Sequence, residues 1–173
     1  WKIVAHSENT NTQYNDGSAN KLFDNLWTPD KANEKHVEFW GRNNNDDHAA
    51  VPYILTFDLG ENPHEYNSIG LIPRLQWVGN SPKYLKIEVS DEVLTRSEDI
   101  TNWILVGSAK RDAFTKTELD AHDGGNWNDW YADKQFVKWH DLGENMHHRY
   151  IRFSMWDSWY STHCFDEIFV SKK

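Results

Sequence analysis

The sequence predicts an all-β protein, an antiparallel β-sandwich of jelly-roll type. Three observations carry this. Apolar and polar residues alternate with period two in segment after segment, no segment keeps helical periodicity beyond two turns, and Gly, Asn, Asp and Pro clusters punctuate the strand-like runs. Short strands without intervening helices pair as antiparallel sheets, and two such sheets bury their apolar faces against each other.

The elements follow in chain order. Lys2–His6 opens the chain as a strand, and Ala19, Leu22 and Phe23 share one face of a short helix. The clearest strands come next. Tyr53, Leu55, Phe57 and Leu59 alternate with Ile54, Thr56 and Asp58; Leu85, Ile87 and Val89 alternate with Tyr84, Lys86 and Glu88. Ile151, Phe153 and Met155 do the same against Tyr150, Arg152 and Ser154. Weaker strands are read at Ser68–Arg74, Trp103–Ser108, Phe136–Asp141 and Glu167–Ser171, with a second short helix over Thr115–His122. That gives about eight strands by period-two alternation. The polar connections at 8–16, 42–48 and 112–133 are long for a compact domain, and such loops usually carry function. No repeat or linker divides the chain, so residues 1–173 read as a single domain.

Composition narrows the partners. Lys and Arg total 18 against 27 Asp and Glu, a formal charge of −9, which repels phosphate backbones and anionic lipid surfaces. No nucleic acid partner is expected, and no membrane insertion, since no apolar run approaches the roughly 20 residues of a spanning helix. Cys164 is the single cysteine, so an internal disulfide is excluded. The chain opens at Trp1 inside a strand-like stretch, with no charged and apolar leader ahead of it. It is therefore read as a module excised from a larger protein.

Aromatic residues are conspicuous: 10 Trp, 7 Tyr and 8 Phe. Sugars present apolar C–H faces and rims of hydroxyls, so a sugar site stacks a ring under one face and surrounds the edge with polar side chains. Four loops offer that combination. Trp40 is followed by Arg42; Trp77 lies between Arg74 and Asn80; Trp127 and Trp130 flank Asn128 and Asp129; and Asp157 precedes Trp159 and Tyr160. A Trp in a soluble domain is more often packing than binding. Trp103 and Trp139, within strands, are assigned to the core, and Trp77 and Trp159, in polar loops, to ligand contact.

Several segments, in order, resemble the discoidin or F5/8 type C family, and among its members the bacterial galactose-binding-like carbohydrate-binding modules. They are Ala5-His6-Ser7-Glu8, Lys21–Asn25, Tyr53–Gly60 ending in Asp-Leu-Gly, Ile72-Pro73-Arg74, Tyr84–Asp91, Trp103–Val106, Arg149–Phe153 and Phe165–Val170. The resemblance spans nearly the whole chain, without the family's cysteine pair. It implies a structural calcium ion held by Asp24, Thr28 and Glu167, a set of hard oxygen donors. The plainer alternative makes Asp24 a turn cap and Glu167 a solvated edge charge. It also implies glycan binding at one end of the sandwich, with Arg74 at the family's Pro-Arg position and the Trp159–His163 loop at another contacting loop. Together with the loop chemistry, the expected sugar contacts are Trp40, Arg42, Arg74, Trp77, Asn80, Asp157, Trp159 and Tyr160.

Neither a metalloprotease HExxH nor a Cys/His quartet occurs, and adjacent His147 and His148 would face opposite sides of a strand. No nucleophile elbow, phosphate loop or dinucleotide fingerprint is found. No spacing singles out a carboxylate pair for glycoside hydrolysis. The expectation is a non-catalytic, monomeric module of a multidomain extracellular or cell-surface protein that binds galactose- or hexosamine-type glycans. A discoidin-type protein-interaction or adhesion domain is the alternative.

Overall fold

The computed structural model describes residues 2–6, 37–39, 53–73, 81–92, 102–122, 137–159 and 163–173. The strands are β1 (Lys2–His6), β2 (Val37–Phe39), β3 (Tyr53–Asp58), β4 (Tyr66–Pro73), β5 (Pro82–Ser90), β6 (Ile104–Leu105), β7 (Arg111–Asp112), β8 (Lys138–Met146), β9 (Tyr150–Ser158) and β10 (His163–Ser171). Among the described residues one helix, α1 (Lys116–His122), stands between β7 and β8.

These form two antiparallel sheets. The first runs β1-β3-β9-β5-β6, with β7 also on β5; the second runs β2-β10-β4-β8. Alternation fixes which face is inward. Leu55 and Phe57 of β3, Leu85, Ile87 and Val89 of β5, and Ile151, Phe153 and Met155 of β9 meet Ile69 and Leu71 of β4 and Ile168 of β10 in one buried cluster. Within it Phe57 and Phe153 meet edge to face, with ring centroids 4.9 Å apart. At ~1.5–3 kcal/mol for each large apolar side chain withdrawn from water, this layer is the main source of stability.

The three strongly alternating segments all form strands, and β1 has the predicted bounds. The Trp103–Ser108 strand shrinks to two residues. Both β6 and β7 lie on the same edge of β5, with Val106 N donating to Ile87 O and Ala113 N to Lys83 O. They are one edge strand interrupted around Gly107, whose φ is +72°. β2 and β7 are too short to show any period. The helix expected over Thr115–His122 forms with a capping box: Glu118 N donates to Thr115 Oγ1 (3.2 Å), and Thr115 N donates to Glu118 Oε2 (2.9 Å).

Trp103 and Trp139 are not core residues. Both are half-buried, with Arg152 stacked on Trp103 and Lys173 on Trp139. In β8 the inward phase belongs to His140 and Leu142, so Trp139 faces away from the core, opposite Gly70. A Cβ on Gly70 would stand 3.0 Å from the Trp139 ring and 2.7 Å from Val137, so the indole lies directly on the bare glycine backbone. His147 and His148 lie in the β8–β9 turn rather than in a strand, directed to Glu65 and Asp91 respectively.

Candidate functional site

The strand registers decide which ends of the sandwich come together. Pro82 opposes Ser158, and Tyr53 opposes Met155, in the first sheet; His163 opposes Phe39, and Phe165 opposes Pro73, in the second. Chain leaving β2, β4 and β9 therefore departs from a single end and enters β3, β5 and β10 there. Only residues 159–162 separate β9 from β10, so the two sheets' ends stand side by side, since stacked sheets are ~10 Å apart. Trp40 and Arg42 follow β2 within 40–52; Arg74, Trp77 and Asn80 belong to 74–80 between β4 and β5; Tyr160 belongs to the β9–β10 connection. These segments join strands whose described ends lie at this end. Trp40, Arg42, Arg74, Trp77, Asn80 and Tyr160 themselves lie outside the described residues, as do Asp24 and Thr28.

Asp157 and Trp159 are described, and the structure brings them together with a residue the sequence reading missed. Lys83, the second residue of β5, is in phase with Leu85, Ile87 and Val89, and Asp157 continues the inward phase of Phe153 and Met155. The two charged side chains oppose each other across β5 and β9 at the mouth of the gap between the sheets. Lys83 Nζ stands 3.5 Å from Asp157 Oδ2, with 25% of the lysine and 42% of the aspartate side chain exposed. The same ammonium sits 4.7 Å from the centroid of the Trp159 ring. Asp157 has φ of +56°, the left-handed region that Asp tolerates better than most residues. The signal for Lys83 was present in the sequence: a lysine at an inward position of a strand cannot stay in the core and marks its mouth.

Trp159 occupies a middle position between core and ledge. Its indole packs against the core cluster and its Nε1 donates to Phe114 O at 3.4 Å, while the residue stays half-exposed beneath Lys83. His140 of β8, 5% exposed, is surrounded by Arg111, Lys138 and Glu118, and burial beside Arg111 and Lys138 lowers its pKa to about 4, so it is neutral near pH 7. Arg111 donates to Val106 O and Asp141 O, and Lys138 pairs with Glu118.

Glu167 sits in β10 opposite Ile72, just after a bulge at Phe165/Glu167. Its neighbour Ile168 faces the core, so Glu167 faces away from it, and yet it is 1% exposed. β10 lies between β2 and β4, so the alternative of a solvated edge charge does not hold. A carboxylate removed from water is held there by a cation or by hydrogen-bond donors around it. Among the described residues, no group of three or more His, Cys, Asp or Glu side chains is placed to hold a metal ion.

This two-sheet β-sandwich matches solved structures over nearly its whole length. The family 32 carbohydrate-binding module of NanJ from Clostridium perfringens, in complex with galactose, superposes with a TM-score of 0.58, covering 98% of this chain and 97% of that one at 12% identity. The fold is that of the family 32 carbohydrate-binding modules. A second family 32 module from Clostridium perfringens, CpGH89CBM32-5 in complex with GalNAc-β-1,3-galactose, matches with a TM-score of 0.57, 14% identity and coverage of 96% and 92%. The CBM32 fold also recurs inside Clostridium perfringens ZmpB, a structure of two such modules with an M60 catalytic domain. There the TM-score is 0.62 at 14% identity, covering 99% of this chain and 14% of that one. At these identities the CBM32 likeness is one of fold. No protein-family model matches the sequence, and no curated protein matches it significantly.

Proposed function

We propose that this chain is a non-catalytic carbohydrate-binding module that takes galactose- or hexosamine-type glycans and serves a larger extracellular glycan-active or surface protein. The observation that carries the reading is the convergence of the loop-bearing strand ends. The connections that carry Trp40, Trp77 and Trp159 join strands at one end of the sandwich, where Asp157 and Trp159 stand half-exposed on either side of Lys83. The liganded CBM32 structures support the choice of sugar. Stacking on an indole plus a few hydrogen bonds gives weak binding, on the order of millimolar to micromolar, because sugar hydroxyls already bond well to water. Attached to an enzyme, such a module would raise its local concentration on a glycan.

A glycan array followed by calorimetric titration tests the reading. Trp159→Leu should remove sugar binding at temperatures where the variant is folded, because Leu keeps apolar packing but has no flat face. If no sugar binds at millimolar concentration while a protein partner does, the module is an adhesion domain instead.

The calcium ion belongs to the same proposal, with Glu167 as the described ligand and Asp24 and Thr28 as the others. Bound to the folded state alone, it stabilises by mass action. EDTA should lower the melting temperature and added Ca2+ should restore it; a melting curve indifferent to chelation removes the ion from the account.

A further inference from the structure

We infer that Lys83 is a sugar-contacting, specificity-determining residue, which together with Asp157 reads two neighbouring hydroxyls of a neutral pyranose stacked on Trp159. This rests on the carbohydrate reading above and goes beyond it by naming a contact that no loop motif indicates.

Three groups of different chemistry converge within a few ångströms. The ammonium only donates hydrogen bonds, the carboxylate only accepts them, and the indole offers a flat apolar face. Among the described residues, Lys83 Nζ meets one carboxylate oxygen at 3.5 Å, the outer limit of a hydrogen bond, and the ring at 4.7 Å. An ammonium with three N–H groups so thinly supplied has donors left for a ligand. Asp157 engages its Oδ2 with Lys83 and is 42% exposed, so it too has accepting capacity left. A sugar hydroxyl both donates and accepts, so adjacent hydroxyls on one ring edge match a donor beside an acceptor.

The position of the ammonium adds a condition. It lies over the ring face against which a sugar would stack. The sugar must displace it sideways, and Asp157 keeps it tethered at the rim of the incoming ring, where it donates to a hydroxyl. A sugar carboxylate or sulfate fits less well. Asp157 would face it at close range, and the whole chain carries a formal charge of −9. The ligand is therefore a neutral pyranose with free vicinal hydroxyls.

The experiment is calorimetric titration of galactose, N-acetylgalactosamine, GalNAc-β-1,3-galactose and the monodeoxygalactoses into the whole chain and into its Lys83→Met and Lys83→Arg variants, with melting curves alongside. Lys83→Met keeps the aliphatic stem and should weaken the best sugar about ten-fold or more, the scale of a hydrogen bond to a charged group. Lys83→Arg should recover most of that loss. For one monodeoxygalactose the unaltered chain should lose about ten-fold relative to galactose, and Lys83→Met should show no further loss on that compound, the coupling expected of a direct contact. Should Lys83→Met fold poorly, the deoxygalactose series on the unaltered chain and on Lys83→Arg still decides. Equal affinities across that series overturn the inference. Unchanged or tighter binding by Lys83→Met also overturns it and reduces Lys83 to a cover over the ring. If the unaltered chain binds none of these sugars, the carbohydrate reading falls first and this inference with it.

Discussion

The two ends of the sandwich solve the same problem, how to finish a pair of sheets, in opposite ways. At the end where β3 leaves and β9 enters, polar groups lock onto one another. Asp58, 3% exposed, accepts from Arg149 Nε at 2.7 Å and from its terminal nitrogen at 2.9 Å, and from Gly60 N at 2.9 Å. Asp91 accepts from Arg149 N and meets His148 Nδ1 at 2.6 Å, while Tyr66 donates to His148 O. At the other end the cross-strand pair is 3.5 Å apart and partly wet. Ser81 Oγ, Arg111 Nε and His140 Nε2 are buried without a hydrogen-bond partner among the described residues. One end holds the fold; the other leaves hydrogen-bonding capacity unused, as a ligand site requires.

The comparison breaks most visibly at the locked end. Arg149→Met would strip the buried Asp58 carboxylate of the guanidinium that donates to both its oxygens. Removing one partner of a buried pair costs about 3 kcal/mol. For a domain of this size that lowers the melting temperature by roughly 6–12 °C. Sugar affinity measured well below the transition should be unchanged. If Lys83→Met at the open end costs as much stability as Arg149→Met, the two ends are not different in kind.

Acid should loosen the open half first. The folded pKa of His140 is about 4, against 6.5 for the free side chain, so between these values the unfolded chain takes up a proton that the folded chain refuses. The His140 contribution is fully present above pH 6.5 and is lost as the pH falls toward 4. It is worth about 2 kcal/mol at pH 5 relative to pH 8. Arg111 and Lys138 reinforce the neutral form and Glu118 opposes it. Urea melts at both pH values should show His140→Gln losing about 2 kcal/mol less than the unaltered chain on acidification. Parallel losses would remove His140 as the cause.

Much of this contrast is legible in the sequence, and unevenly so. The locked end announces itself in Asp58-Leu59-Gly60, where the carboxylate bonds back to Gly60 and the glycine takes φ of +97°. The inward strands were legible because three or more apolar residues in phase leave one arrangement. Trp139 was not, because a bulky residue on a strand satisfies either phase, and only the bare backbone of Gly70 across the sheet offers it a seat outside the core. Lys83 escaped notice for a related reason. Strand reading attends to the apolar members of a phase, whereas here the charged member marks where the core ends. Glu167 was identified through resemblance alone; its burial on the outward face is a tertiary fact that period-two reading does not contain.

The smallest expected effect on stability gives the sharpest contrast between the ends. Asp157 combines an ion pair that is partly exposed with a left-handed backbone at φ +56°. A pair so exposed is worth at most about 1 kcal/mol. Asn tolerates left-handed φ as Asp does, so Asp157→Asn leaves the backbone unstrained and should change stability by well under ~1 kcal/mol. Asp157→Ala adds the strain of a side chain ill-suited to that region, roughly 1 kcal/mol more. Sugar binding should follow a different order. The amide retains an acceptor but loses the charge that tethers Lys83, so both variants should weaken the ligand several-fold, and Asp157→Asn should do so with almost no change in melting temperature. A residue whose loss is nearly silent in a melting curve and plain in a titration belongs to the ligand rather than to the fold. If Asp157→Asn instead melts as early as Arg149→Met, the Lys83–Asp157 pair is a clasp like its counterpart at the far end, and the ligand site must be sought in the loops without it.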